Sequence, residues 1–204
     1  MKLMPFCQSH SGSLSVKVLI TRRCYGKFTR CRSQISAERG VIPIGVLHLR
    51  KKVRFFVSYA HSNKELANSF LEKLKIMLAP SKKHEYELWK DTGLVIGDAW
   101  EQQIIEARDN CDFGLLLVSP SFLASKFITE NELPIFLSGE KGSIPVMLQP
   151  VDFDRHDLKG LEKQQIFRLD FEGFKEPRAY GECKKHRRDT FVTELFKAIE
   201  DKLV

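Results

Sequence analysis

Two short polar stretches and one acidic stretch hold the residue types best suited to chemistry in this chain. Ser58-Tyr59-Ala60-His61-Ser62-Asn63 and Ser119-Pro120-Ser121-Phe122-Leu123-Ala124-Ser125 each follow an apolar run. The Ser58 and Tyr59 hydroxyls stand where a strand ends and could reach a phosphate or a sugar; equally, they could satisfy their own loop backbone. Ser119 and Ser125 could bind a ligand or cap a helix. His61 is a proton shuttle or a solvated loop residue. In Thr129-Glu130-Asn131-Glu132, the acids are candidate catalytic groups, or Thr129 and Glu132 form a capping box that only starts a helix. That register puts Pro134 at the fifth helical position, where its ring meets the carbonyl four residues back. A helix starting nearer Ser125 and bent at Pro134 is the alternative. Asp91 at a strand end would anchor the following loop. Trp100 is core packing or a ring for the flat face of a ligand. The sequence contains no nucleophile elbow, phosphate-cradling Gly-rich loop or His-Glu-x-x-His pattern, so those chemistries and a metal site are not expected.

The elements that must position these residues are legible from Val53 onward. Val53–Val57 is a short β-branched and aromatic strand. Ser62 or Asn63 then caps a helix with Leu66, Phe70, Leu74 and Leu78 at four-residue spacing. Tyr86–Trp89 is a second strand, and Asp98-Ala99-Trp100-Glu101 opens a helix that buries Ile104, Ile105 and Ala107. Phe113–Val118 is an unbroken apolar strand, which implies burial on both faces. A third helix over Phe127–Leu137, strands at Ile144–Leu148 and Ile166–Leu169, and a last helix over Thr190–Leu203 complete the series. This alternation predicts an α/β fold, a flavodoxin-like, doubly wound, five-stranded parallel sheet of order 2-1-3-4-5 with helices on both faces. Such sheets bind ligands beyond the carboxyl ends of the strands, at the switch between the first and third. Ser58–Asn63 and Ser119–Ser125 fall at that point.

Charge divides the chain. The net is +7 over 204 residues, but residues 1–52 carry 11 of the 33 Lys and Arg and one of the 26 acids, Glu38. The remainder, with 22 basic and 25 acidic residues, has a net of −3. A polyanion grip would therefore rest on the N-terminal arm, and binding to nucleic acid would fall steeply with salt and vanish on deletion of residues 1–50. Residues 1–50 are expected to be a poorly ordered basic leader or an over-extended start; a transit peptide has similar composition. Cys7, His10, Cys24 and Cys31 lack the tight Cys-x-x-Cys pair of a zinc knuckle. Five cysteines without paired spacing suit a reducing compartment, and no apolar run approaches the ~20 residues of a membrane span. A cytoplasmic protein with no membrane or specific nucleic-acid partner is expected. The run Lys184-Lys185-His186-Arg187-Arg188 precedes the last helix and has no interleaved aromatic to stack bases, so it is read as solvated.

Four segments in order resemble the Toll/interleukin-receptor (TIR) domains, in their bacterial style. These are Phe55-Phe56-Val57-Ser58-Tyr59-Ala60-His61-Ser62; Leu88-Trp89-Lys90-Asp91 with Gly97-Asp98-Ala99-Trp100; Leu116 to Ser125; and Phe127-Ile128 with Glu132-Leu133-Pro134. The resemblance covers residues 51–204, which it makes a TIR domain. It implies self-association through Thr92, Gly93, Leu94, Val95, Ile96 and Gly97, and one of two activities. Many such domains cleave the nicotinamide–ribose bond of NAD, which is a substrate there and not a cofactor; others are adaptors that act only through protein contacts with other TIR domains. The enzymatic members place a glutamate on the third helix, and the matching position is Glu132, with Glu130 as second choice. Ser58, Tyr59, Phe127, Ser119, Ser125 and Trp100 would then contact substrate. One carboxylate is chemically sufficient, because nicotinamide is already a cationic leaving group and needs no general acid. A Glu⁻ stabilises the developing oxocarbenium ion where water is excluded, and its hydrogen bonds can hold the ribose. The product would be ADP-ribose or a cyclised relative, in antiphage or innate immune defence, with self-assembly or a separate sensor as trigger. One departure stands out: many NAD-cleaving relatives carry Trp four residues before the Glu, and this chain has Ile128, with Phe127 next to it.

Overall fold

The structure is a computed structural model that describes residues 50–90, 100–172 and 174–203. Residues 1–49 of the expected leader over 1–50, Asp91, the expected assembly loop Thr92–Gly97 and the side chain of Trp100 lie outside the described residues.

Four strands form one parallel sheet of order β2-β1-β3-β4, with β1 at Lys51–Tyr59, β2 at His84–Lys90, β3 at Phe113–Val118 and β4 at Gly142–Met147. Period-two alternation sorts their side chains into two cores. Val53, Phe55, Val57, Leu115, Leu117, Ile144 and Val146 face one side, under α1 (Lys64–Leu78) and α5 (Lys185–Lys202). Phe56, Leu116, Val118 and Met147 face the other, under α2 (Trp100–Asp109), α3 (Pro120–Ala124) and α4 (Leu133–Leu137). The four-residue spacing in α1 does what its period predicts, since Phe70, Leu74 and Leu78 are all buried. Each such fully buried Phe or Leu contributes about 1.5–3 kcal/mol.

The expected fifth strand is reduced to a single parallel bridge, Val146 to Phe167. Proline chemistry explains half of this. Phe167 N–H donates to Pro145 O at 2.8 Å, and Met147 N–H donates to Phe167 O at 3.0 Å. The next rung would need a donor from residue 145, and proline has none. On the other side Leu169 turns away and exchanges both backbone bonds with Arg178 as an antiparallel bridge. The last helix also begins earlier than expected: the basic run forms its first turn, with Arg187 N–H and Arg188 N–H both donating to Lys184 O.

The expected helix over Phe127–Leu137 is present, starts just after Ser125 as the alternative reading had it, and carries a π turn in its middle. Ile128–Glu132 is a π-helical turn, closed by Leu133 N–H donating to Ile128 O, and α4 follows directly. Pro134 accounts for the widened turn. A regular helix would drive its ring into the carbonyl of Glu130, and one extra residue in the turn relieves the clash. Side chains add donors along this segment: the Thr129 hydroxyl donates to Ser125 O, which also accepts Thr129 N–H, Asn131 Nδ2 donates to Phe127 O, and Arg108 Nη1 from α2 donates to Asn131 O at 2.8 Å. Thr129 is therefore not the cap of a box with Glu132.

Candidate functional site

Parity along β1 decides which hydroxyl enters the site. Ser58 is two residues beyond Phe56 and so projects to the α2–α4 side, where it is 2% exposed. The π turn aims Glu132 at the same point from the opposite wall. The Ser58 hydroxyl donates to Glu132 Oε2, and Glu132 as a residue is 8% exposed. Glu130, two residues earlier, is exposed. The widened turn thus separates the two acids that the sequence left as candidates, one into the fold and one into solvent.

Around this pair is a cleft of about 230 Å³ at the carboxyl ends of β1 and β2. Tyr59 and His61 come from the exit of β1, Trp89 from the end of β2, Ile104 from α2, and Ser125, Phe127 and Ile128 from the chain leading into the π turn. The expected position was the switch between β1 and β3; the cleft is displaced toward β2. Ser119 does not line the cleft and caps the short helix α3 rather than the expected helix over Phe127–Leu137. It is fully buried, its Oγ accepts Phe122 N–H at 3.0 Å as the cap of α3, and it donates to Asn63 Oδ1 at 2.7 Å. Asn63 Nδ2 in turn donates to Gln149 Oε1 at 3.0 Å, which ties together the exits of β1, β3 and β4. Ser125 stays at the cleft, with its Oγ accepting from Ile128 N–H at 3.5 Å.

Sequence reasoning missed Trp89 as a site residue. It is paired in register with Phe56, and the rings stack with centroids 5.2 Å apart and planes 13° from parallel. The available signal was its place at the carboxyl end of a strand beside β1, the end where ligands bind. Trp89 and Phe127 give the cleft an aromatic lining although position 128 is Ile, which is buried there.

Among the described residues that line the cleft, Glu132 is the only carboxylate and none is Lys or Arg. The Glu132 carboxylate suits a cationic group. The volume lies below the ~300–1,000 Å³ of typical small-ligand sites and suits one part of a dinucleotide. Neither described cysteine is a competing nucleophile: burial pushes the thiols of Cys111 and Cys183 up, away from the thiolate. Among the described residues no cluster of His, Cys, Asp and Glu could hold a metal, and no helix is long and apolar enough to cross a membrane.

No curated protein shows significant similarity to the chain. A family model described as TIR domain matches residues 55–182, a span that contains every described residue of the cleft. With its parallel sheet, its helices on both faces and this match over more than half its length, the chain belongs to the TIR domain family.

Proposed function

We propose that this TIR domain cleaves the nicotinamide–ribose bond of NAD, with Glu132 as the catalytic carboxylate. The observation that carries the reading is a buried glutamate, hydrogen-bonded by Ser58, in a partly aromatic cleft with no described basic residue. The nicotinamide riboside end of NAD is the cationic part of the molecule. Its pyridinium ring suits the aromatic lining, and its anomeric carbon gains positive charge as the bond to nitrogen lengthens. A fixed carboxylate in a site of low dielectric lowers the energy of that oxocarbenium ion more than that of the ground state. The bond pair leaves with nicotinamide, which departs neutral. Water then adds to the anomeric carbon and loses a proton, giving ADP-ribose; attack by an adenine nitrogen gives a cyclic product instead. The pyrophosphate would lie outside the cleft.

Continuous NAD cleavage is toxic, so control by self-assembly through Thr92–Gly97 or by a separate sensor protein fits this activity, as does a role in antiphage or innate immune defence inside the cytoplasm. The test is nicotinamide release by the purified chain over a wide range of protein concentration, with and without Glu132→Gln. Release that falls by roughly 10²–10³-fold in the variant supports the reading. Equal release by both keeps the enzyme and removes Glu132 from its mechanism. No release by either, even in assembled protein, leaves the adaptor role that other TIR domains serve.

A further inference from the structure

The basic run that opens α5 has no aromatic among its own members, but the fold supplies two. Phe171 and Phe174 meet edge to face with centroids 6.3 Å apart, and the Arg187 guanidinium lies 4.7 Å from the centroid of each. Arg178 stands 4.8 Å over Phe174. With Leu169, Cys183 and Lys184 these residues line a cavity of about 300 Å³ that shares no residue with the cleft of Glu132.

The charges within it are not all balanced. Glu182 is the one acid among the described lining residues, and both its oxygens are engaged, by Arg178 Nη1 at 2.7 Å and Ala179 N–H at 2.9 Å. Arg188 is turned elsewhere, over Tyr180 and onto Cys183 O. Lys184 and Arg187 remain, and neither side chain makes an ion pair or hydrogen bond within the described residues. Arg187 is held against two rings, and among the described residues its planar fork of N–H donors has no hydrogen-bond acceptor, an arrangement suited to bidentate capture of a phosphate.

We propose that this cavity binds a nucleoside monophosphate, with Arg187 and Lys184 on the phosphate and the base against Leu169, Phe171 and Phe174. Two unbalanced cations match one phosphate dianion, and the apolar floor matches a flat base. The volume lies at the lower end of small-ligand sites, which favours a mononucleotide over a dinucleotide. The 5′ end of an oligonucleotide presents the same chemistry.

Calorimetric titration of the full chain with AMP, adenosine, inorganic phosphate and a 5′-phosphorylated decanucleotide distinguishes these sources. The expected result is saturable AMP binding, with adenosine and phosphate each at least about tenfold weaker. Arg187→Lys, which keeps the charge and the stem but removes the fork, should weaken AMP roughly tenfold, and Arg187→Ala up to about a hundredfold. Lys184→Glu, on an exposed residue with no side-chain partner among the described residues, should weaken it with the melting temperature unchanged. Glu132→Gln should bind AMP as the parent does. The proposal is overturned by absence of saturable AMP binding, by binding that ignores both Arg187→Lys and Lys184→Glu, or by binding lost in Glu132→Gln. Tighter, steeply salt-dependent binding of the oligonucleotide overturns it in favour of a nucleic-acid end.

Discussion

Replacing Ser58 by Ala tests the contact on which the site depends. The Ser58 hydroxyl donates to a carboxylate, a bond of the charge-assisted kind that contributes about 1.5–3 kcal/mol. Ser58 is 2% and Glu132 8% exposed, so solvent has little room to replace the lost donor. Ser58→Ala should therefore destabilise the domain by about 2–3 kcal/mol, or roughly 4–12 °C in Tm for a domain of this size. The decisive measurement is a double-mutant cycle with Glu132→Ala, read by urea denaturation of the four proteins. If the two side chains are bonded in solution, the double variant is less destabilised than the sum of the single ones by about 1.5–3 kcal/mol. The same loss of positioning should slow nicotinamide release by Ser58→Ala roughly ten- to a hundredfold. Additivity within about 0.5 kcal/mol would refute the reasoning, because it would mean that the carboxylate does not rest on Ser58.

Other expectations follow from separate parts of the fold. Trp89→Ala should raise the KM for NAD roughly three- to tenfold, while Trp89→Phe, which keeps a ring on Phe56, stays close to the parent. Gly114→Ala would place a Cβ 2.6 Å from the Phe136 ring, which itself stacks on Phe56. It should cost about 1–3 kcal/mol in chemical denaturation, and Phe136→Leu in the same chain should recover part of this. At the other end of the sheet, Glu200 accepts hydrogen bonds from Ser81 at 2.7 Å and Tyr86 at 2.5 Å, with His84 Nδ1 3.6 Å away. Burial alone would push this carboxyl up, but the hydrogen bonds from Tyr86 and Ser81, with the nearby His84 imidazole, outweigh it and hold the group below its ordinary 4.5. The unfolded chain therefore takes up the proton first as the pH falls, so the cluster's contribution is present above 4.5 and is lost as the pH passes through the lower folded value. Glu200→Gln should flatten the fall in stability as the pH drops below 4.5 in urea titrations; an unchanged slope would show that the cluster does not bind the carboxylate in this way.

The alternation of strands and helices, the two-sided burial of Phe113–Val118 and the inward face of α1 were all legible in the chain, because each depends on a local period of apolar residues. Local pattern also brought the Ser58 turn to the carboxyl end of the sheet. It could not say which acid enters the site. That choice depended on a π turn that Pro134 favours and that Arg108, from another helix, helps to satisfy. The fifth strand failed for a similar reason, since the donor missing at Pro145 matters only once another segment lies beside it. Within the basic run, Arg187 gained aromatic partners from Phe171 and Phe174, more than ten residues away in sequence and in contact only after folding. Periodicity is a property of neighbours along the chain and can be read there. Register, hydrogen-bond satisfaction and the environment of a charge belong to neighbours in space, and only the tertiary structure decides them.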